Sequence, residues 1–144
     1  MNRKITTKVG ILLLILMMGA SISCENERTP GELLQSLEGE WNVEENSEQF
    51  GETAYDVTIF ISDQYSSKIF ISGFYHLPDE VDGNVEGHRI NLVENQTITD
   101  NTISYTLVSG SGRVSDSYKY IQWNYKVDDG SGEIDEVTAT YTKE

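Results

Sequence analysis

From Trp41 to the C-terminus, apolar and polar residues alternate with a period of two, the pattern of strands that bury one face. Tyr55, Val57, Ile59 and Ile61 alternate with Asp56, Thr58, Phe60 and Ser62. After the polar stretch Asp63-Gln64-Tyr65-Ser66-Ser67, Ile69 and Ile71 alternate with Lys68, Phe70 and Ser72. Further runs cover about 80–86, 89–93, 103–113, 118–127 and 134–142. Turn-formers punctuate them: Asp82-Gly83-Asn84, Gly87-His88, Asp100-Asn101, Ser115-Asp116-Ser117 and Asp128-Asp129-Gly130-Ser131-Gly132. Ile121, Trp123, Tyr125 and Val127 share one face of the penultimate strand, and Val137, Ala139 and Tyr141 one face of the last. About eight short strands joined by hairpins predict an all-β antiparallel barrel, with a β-sandwich as the alternative. No βαβ rhythm is present, which excludes a doubly wound nucleotide-binding fold.

One stretch departs from this period. Thr29-Pro30-Gly31-Glu32 has the spacing of a capping box with proline at the first helical position, and Leu33, Leu34 and Leu37 follow at helical spacing. A short helix is predicted over about 30–37, ended by Gly39. If residues 63–67 close a simple hairpin, Ser62 pairs with Lys68, Ile59 faces Ile71, Ile61 faces Ile69, and Phe60 faces Phe70 on the other side. Phe74, with Tyr118 and Tyr120, extends an aromatic set on that second face. A single-layer sheet has one greasy face, so this set is expected in a second core, under the helix or between packed sheets. The alternative is an exposed patch that docks a ligand or partner.

The N-terminal residues follow different rules. Arg3, Lys4 and Lys8 form a basic leader without acids, and Val9 to Met18 reads VGILLLILMM, too short to span a bilayer as a permanent helix. Small residues then lead to Cys24, the only cysteine. This is the layout of a secretory signal peptide, and Ser21-Ile22-Ser23-Cys24 resembles the bacterial lipobox, with Ser21 where leucine is usual. The resemblance implies cleavage before Cys24 and its acylation, hence a signal peptide over 1–23, a lipid-anchored tether over 24–29 and a barrel domain over 30–144. A lone cysteine excludes an internal disulfide and dithiol chemistry.

The 144 residues carry a formal net charge of −14. Losing the leader removes Arg3, Lys4 and Lys8 and no acid, so the remaining 121 residues hold seven basic against 24 acidic side chains, a net −17. That balance argues against nucleic acid as a partner, because its phosphates need a basic stripe. It also predicts that the anchored domain is repelled by an anionic membrane and turns its working face to solvent.

Leu37-Glu38-Gly39-Glu40-Trp41-Asn42-Val43 resembles the opening of a lipocalin-like barrel, where Gly-x-Trp follows a short helical turn and the indole closes one barrel end. Ser67-Lys68-Ile69-Phe70-Ile71-Ser72-Gly73-Phe74-Tyr75, the stretch from Val85 to Gln96, and Ser109-Gly110-Ser111-Gly112-Arg113-Val114 are similar to small lipocalin-like lipoproteins of Bacteroidetes bacteria. The same holds for Tyr120 to Val127 leading to Ala139-Thr140-Tyr141-Thr142-Lys143, and Thr99-Asp100-Asn101 is similar to a second lipocalin motif. The last strand lacks the arginine that true lipocalins pack over the tryptophan at the position of Trp41. The resemblance implies an up-and-down barrel, Gly39 and Trp41 as its closing residues, and a lipid anchor on Cys24 in the bacterial outer membrane. With Glu25 and Glu27 after the cysteine, it leaves the periplasmic and the surface-exposed side both open. It implies no activity and no cofactor.

Candidate chemistry is sparse. His76 and His88 are the only imidazoles; a structural zinc needs four ligands, and no thiol remains once Cys24 is acylated, so no metal site is expected. No Gly-x-Ser-x-Gly elbow accompanies a serine nucleophile. Ser109-Gly110-Ser111-Gly112 lacks the Gly-Lys-Ser/Thr of a phosphate loop and reads as small residues that let a strand bend. Asp128 to Glu136 holds five carboxylates in nine positions, but without EF-hand spacing, and reads as a solvated hairpin loop. With no catalytic constellation, the expected function is a non-catalytic binding module for a small apolar molecule, glycan or peptide, with Phe60, Phe70, Phe74 and Trp123 as its ligand-binding residues. The alternative is an accessory subunit of an envelope protein complex whose acidic surface meets a basic partner.

Overall fold

The computed structural model describes residues 29–144, so the leader, Cys24 and most of the tether lie outside the described residues. Helix α1 (Pro30–Leu37) begins where the capping box placed it: Glu32 N donates to Thr29 Oγ1 (3.4 Å), and Thr29 N donates back to Glu32 Oε2 (2.8 Å). Leu33, Leu34 and Leu37 turn one face of this short helix into the core. Gly39, at φ 124°, then swings the chain into strand β1 (Gly39–Ser47), a conformation that favours glycine.

The strands that follow are β2 (Gly51–Ile61), β3 (Lys68–Ser72), β4 (Glu80–Glu86), β5 (Arg89–Leu92), β6 (Gln96–Asp100), β7 (Ile103–Val114), β8 (Tyr120–Asp128) and β9 (Ile134–Lys143). Each pairs antiparallel with its neighbours, and β1 pairs with both β2 and β9. Strand β5 lies on the C-terminal part of β7 and β6 on its N-terminal part, so the two together act as one interrupted strand. The result is a closed eight-stranded antiparallel barrel with one short helix, and the sandwich alternative falls away.

The β2–β3 register is the one the hairpin arithmetic gives: Ile59 faces Ile71, Phe60 faces Phe70, Ile61 faces Ile69, and Ser62 N donates to Lys68 O (2.9 Å). Two sequence expectations fail nearby. Asp82-Gly83-Asn84 does not break the chain but lies inside β4, where Gly83 faces the interior and an added Cβ would come within 3.2 Å of Ile90. Strand β6 was not expected, because residues 93–95 separate it from β5 and Asn95 takes a positive φ. The side chain of Gln96 bridges that break: its Oε1 accepts from Asp82 N (2.6 Å) and its Nε2 donates to Asp82 O (3.0 Å), standing in for a backbone rung.

The second aromatic face is not a second core. Phe60 stays 43% exposed, and Phe70 is half-buried beneath the Lys68 ammonium, 5.1 Å from its ring centroid. Phe74 does not belong to that face, because Gly73 (φ 84°) turns the chain inward and buries Phe74 in the barrel. The small residues of β7 serve packing. A Cβ on Gly112 would approach the Trp123 ring to 2.8 Å, and one on Gly110 would approach Leu92 to 2.6 Å. The register shifts between Leu107 and Ser109, so the strand also bends there. The inward residues of all strands, with α1 at one end, form one continuous hydrophobic core.

Candidate functional site

The two ends of the barrel place different chemistry on the same core. At the α1 end, Trp41 is fully buried and its Nε1 donates to Leu37 O (2.9 Å), one of the carbonyls a helix leaves unpaired at its C-terminus. Lys143, on the last strand, holds its ammonium over the Trp41 ring (5.5 Å) and donates to Ser36 O and Glu38 O (2.9 Å). A lysine thus occupies the place where the resemblance called for an arginine. Burial holds its pKa below the usual lysine range, while nearby Glu38 pulls it upward.

The opposite end is closed by a plug, residues 73–79, that connects the short strands β3 and β4. Phe74 and Tyr75 are buried in it, with Leu77, while His76 stays exposed. The segment is strained: Tyr75 (φ 54°) and His76 (φ 57°) both sit in the left-handed region, at a cost on the order of 1 kcal/mol each. Aromatic contacts hold it in place. Phe74 packs against Trp123 (6.4 Å) and Tyr125 (4.6 Å), Tyr75 lies edge-on to Tyr105 (5.9 Å), and His76 stacks flat on Tyr55 (5.1 Å, 7°).

Beneath the plug lie two inward-facing carboxylates. Asp135 accepts from Ser47 Oγ (2.6 Å) and Tyr75 hydroxyl (2.7 Å) through Oδ2, and from Gln49 N (3.1 Å) through Oδ1. Glu45 Oε2 accepts from the hydroxyls of Tyr55 and Tyr125. Burial raises the Glu45 pKa above the usual carboxylate range, opposed by the two tyrosine hydrogen bonds and reinforced by the charge of Asp135. Burial likewise pushes the hydroxyls of Tyr55, Tyr75, Tyr125 and Tyr141 upward, so all four stay protonated as donors. Two donors in this interior have no hydrogen-bond partner. They are Trp123 Nε1 and the hydroxyl of Tyr141, which has the Tyr55 hydroxyl beside it. Their rings are neighbours, 5.5 Å apart. An unsatisfied buried donor costs about 1–3 kcal/mol, and a compact core rarely keeps two together.

The four expected ligand residues do not form one site. Phe60 and Phe70 lie outside the barrel, while Phe74 and Trp123 touch inside it. Sequence reading missed Glu45, Ser47, Tyr75 and Asp135 as partners. The alternation Trp41, Val43, Glu45, Ser47 already pointed Glu45 inward, whereas Asp135 was read as part of the acidic loop. Two of the other acids behave as turn residues: Asp128 Oδ1 accepts from Gly130 N (2.7 Å) and Asp129 Oδ1 from Ser131 N (2.8 Å), while Glu136 pairs with Lys126 across β9 and β8 (2.5 Å). His76 and His88 lie at opposite ends; His88 Nδ1 donates to Val114 O (3.2 Å), leaving Nε2 to accept from the Tyr118 hydroxyl (3.2 Å). On the outside, a shallow polar groove of about 750 Å³ crosses β2, β1, β9 and β8, lined by Glu44, Asn46, Glu52, Asn124, Thr138 and Thr140 among others.

Neither a protein-family model nor a curated protein matches the chain. Among solved structures, it is similar to EF1p2_mFAP2b bound to DFHBI, at 16% identity and a TM-score of 0.52, over 81% of this chain and 100% of that one. A redesigned β barrel, b11L5F_LGL, is similar at 12% identity and a TM-score of 0.47, over 78% and 95% of the two chains. The first likeness agrees with the barrel fold and, at that identity, speaks to fold alone.

Proposed function

We propose that this chain is a non-catalytic binding module, lipid-anchored through Cys24 at the bacterial outer membrane. In this reading it takes a small, largely apolar molecule bearing a hydrogen-bond acceptor into the barrel interior when the plug withdraws. The observation that carries the reading is the pair of donors, Trp123 Nε1 and the Tyr141 hydroxyl, left without a hydrogen-bond partner in a core whose other buried polar groups, Glu45, Ser47 and Asp135, are paired. An acceptor placed between them recovers a desolvation cost that the unliganded barrel bears. Support comes also from the plug, a strained segment that covers the interior without strand pairing of its own. A barrel of the same architecture holds DFHBI. The outer groove is a weaker candidate for a glycan, since its lining offers no exposed aromatic ring for a sugar to stack on.

Native mass spectrometry of residues 25–144 after exposure to envelope extract tests this reading. A reproducible small-molecule adduct is expected. Tyr141→Phe, which keeps the ring and removes only the hydroxyl, should weaken the adduct about tenfold and raise stability by about 1 kcal/mol. A clean unliganded mass overturns the reading and favours the accessory-subunit alternative, which the acidic residues crowded at the plug end also support.

A further inference from the structure

The plug does more than cover the interior, because two of its side chains occupy it. Phe74 is fully buried, with its ring against Tyr125 (4.6 Å) and Trp123 (6.4 Å). Tyr75 lies edge-on to Tyr105 (5.9 Å) and Tyr125 (6.2 Å), and its hydroxyl donates to Asp135 Oδ2 (2.7 Å). Withdrawal of the plug vacates the room of two aromatic rings and takes a donor from a carboxylate that is only 2% exposed. Ala139 pairs with both Glu45 and Trp123, so these two are level, while Asp135 lies further towards the plug end along β9, by roughly 13 Å of strand. The basic residues among the described positions leave the two acids without a counter-ion. Lys68 pairs with Asp82, Lys143 sits over Trp41 at the other end, and Arg89, Arg113, Lys119 and Lys126 are exposed. His76 is near enough to favour the Glu45 charge, but it is exposed and stacked on Tyr55. Among the described residues, Glu45 and Asp135 accept from neutral donors: the hydroxyls of Tyr55, Tyr75, Tyr125 and Ser47, and the Gln49 amide.

We propose that the molecule which replaces the plug is an organic amine, its ring in the place of Phe74 and its protonated nitrogen in the place of the Tyr75 hydroxyl at Asp135. This rests on the interior site proposed above and names the class of ligand that site takes. A cationic donor restores the bond that Asp135 loses, and charge assistance makes it roughly twice as strong as the neutral bond it replaces. It also brings the interior carboxylates a counter-charge that no described side chain supplies, the condition under which a buried charge is tolerated. Aromatic walls suit a desolvated ammonium as well. The other end of the ligand is set by the two partnerless donors. Trp123 Nε1 is level with Glu45, and the Tyr141 hydroxyl feels the Glu45 charge from a position further along β9, away from Asp135. Both are buried and call for an oxygen acceptor at the deep end of the same molecule. An anion would meet two carboxylates there, and a hydrocarbon would leave Asp135 one donor short. A ring with an amine at one end and an oxygen at the other complements the room that the plug fills.

The test titrates the full chain in detergent micelles with three probes that share a phenol ring and differ at the opposite end: tyramine, its alcohol analogue tyrosol, and para-hydroxyphenylacetate. In calorimetry at neutral pH, tyramine should bind about tenfold more tightly than tyrosol, and the carboxylate should show no measurable binding. Asp135→Asn should cut the advantage of the amine to about twofold or less. Tyr75→Phe, whose plug no longer competes for Asp135, should tighten tyramine and tyrosol alike by about tenfold, and it keeps the test decisive if Asp135→Asn does not fold. Tyrosol binding as tightly as tyramine, or Tyr75→Phe binding tyramine no better than the wild type, overturns the amine class and leaves the interior site standing. Failure of all three probes with both the wild type and Tyr75→Phe overturns it too, and the adduct recovered from envelope extract then decides the interior site by itself.

Discussion

At the α1 end, closure of the barrel is local and relaxed. A capping box starts the helix, the Trp41 indole meets a helix carbonyl, and Lys143 supplies hydrogen bonds to two more. At the plug end, closure is made by a seven-residue connection with consecutive left-handed residues, held by stacked rings and by the Tyr75 bond to a buried carboxylate. The same hydrophobic core is thus sealed once by satisfied backbone and once by strained backbone over unsatisfied donors. The difference teaches where the barrel can open at least cost: local opening draws on segments with strain and little strand pairing.

The largest expected effect belongs to the relaxed end. Trp41→Ala should lower global stability by about 3–5 kcal/mol in urea denaturation, because it empties a fully buried site and frees a helix carbonyl. A cost below about 1 kcal/mol would mean that α1 is dispensable and that the contrast between the ends is false. Next comes Tyr75→Phe, which keeps the ring but removes the hydroxyl bonded to Asp135. A loss of about 1.5–3 kcal/mol is expected, with faster hydrogen exchange confined to residues 73–79. Equal acceleration in α1 would show that the plug does not open by itself. The smallest effect is electrostatic. Because burial raises the folded-state pKa of Glu45, its contribution is fully present when both states are protonated and is lost as pH rises through the folded value. Glu45→Gln should therefore raise the urea midpoint at pH 8, with the gain disappearing below the ordinary carboxylate range. A gain that persists in acid would assign the effect to packing.

Much of the fold can be read from the residues because its decisive signals are local. Thr29 and Glu32 set the helix start, and the length of the 63–67 loop sets the Phe60–Phe70 register. What escapes is decided by distant partners. Gln96 acts as a backbone rung only because Asp82 lies opposite, and Gly83 reads as a breaker until Ile69, Ile90 and Leu92 are seen to fill the space over it. Phe74 follows the outward alternation of β3 up to Gly73, whose positive φ reverses its direction. Of the candidate site, Trp123 was found by its period. Of the two buried carboxylates, Glu45 was legible in its phase with Trp41 and Val43, whereas Asp135 was hidden among the acids of its loop until the register pointed it inward.

The Lys143 clasp also constrains how the molecule is made. Its two acceptors, Ser36 and Glu38, flank the end of α1, 107 and 105 residues before the lysine on the last strand. The β1–β9 seam spans the same interval. Until β9 has formed against β1, the lid over Trp41 cannot be set and the barrel cannot close. Contacts of such long separation make the final step slow and concerted.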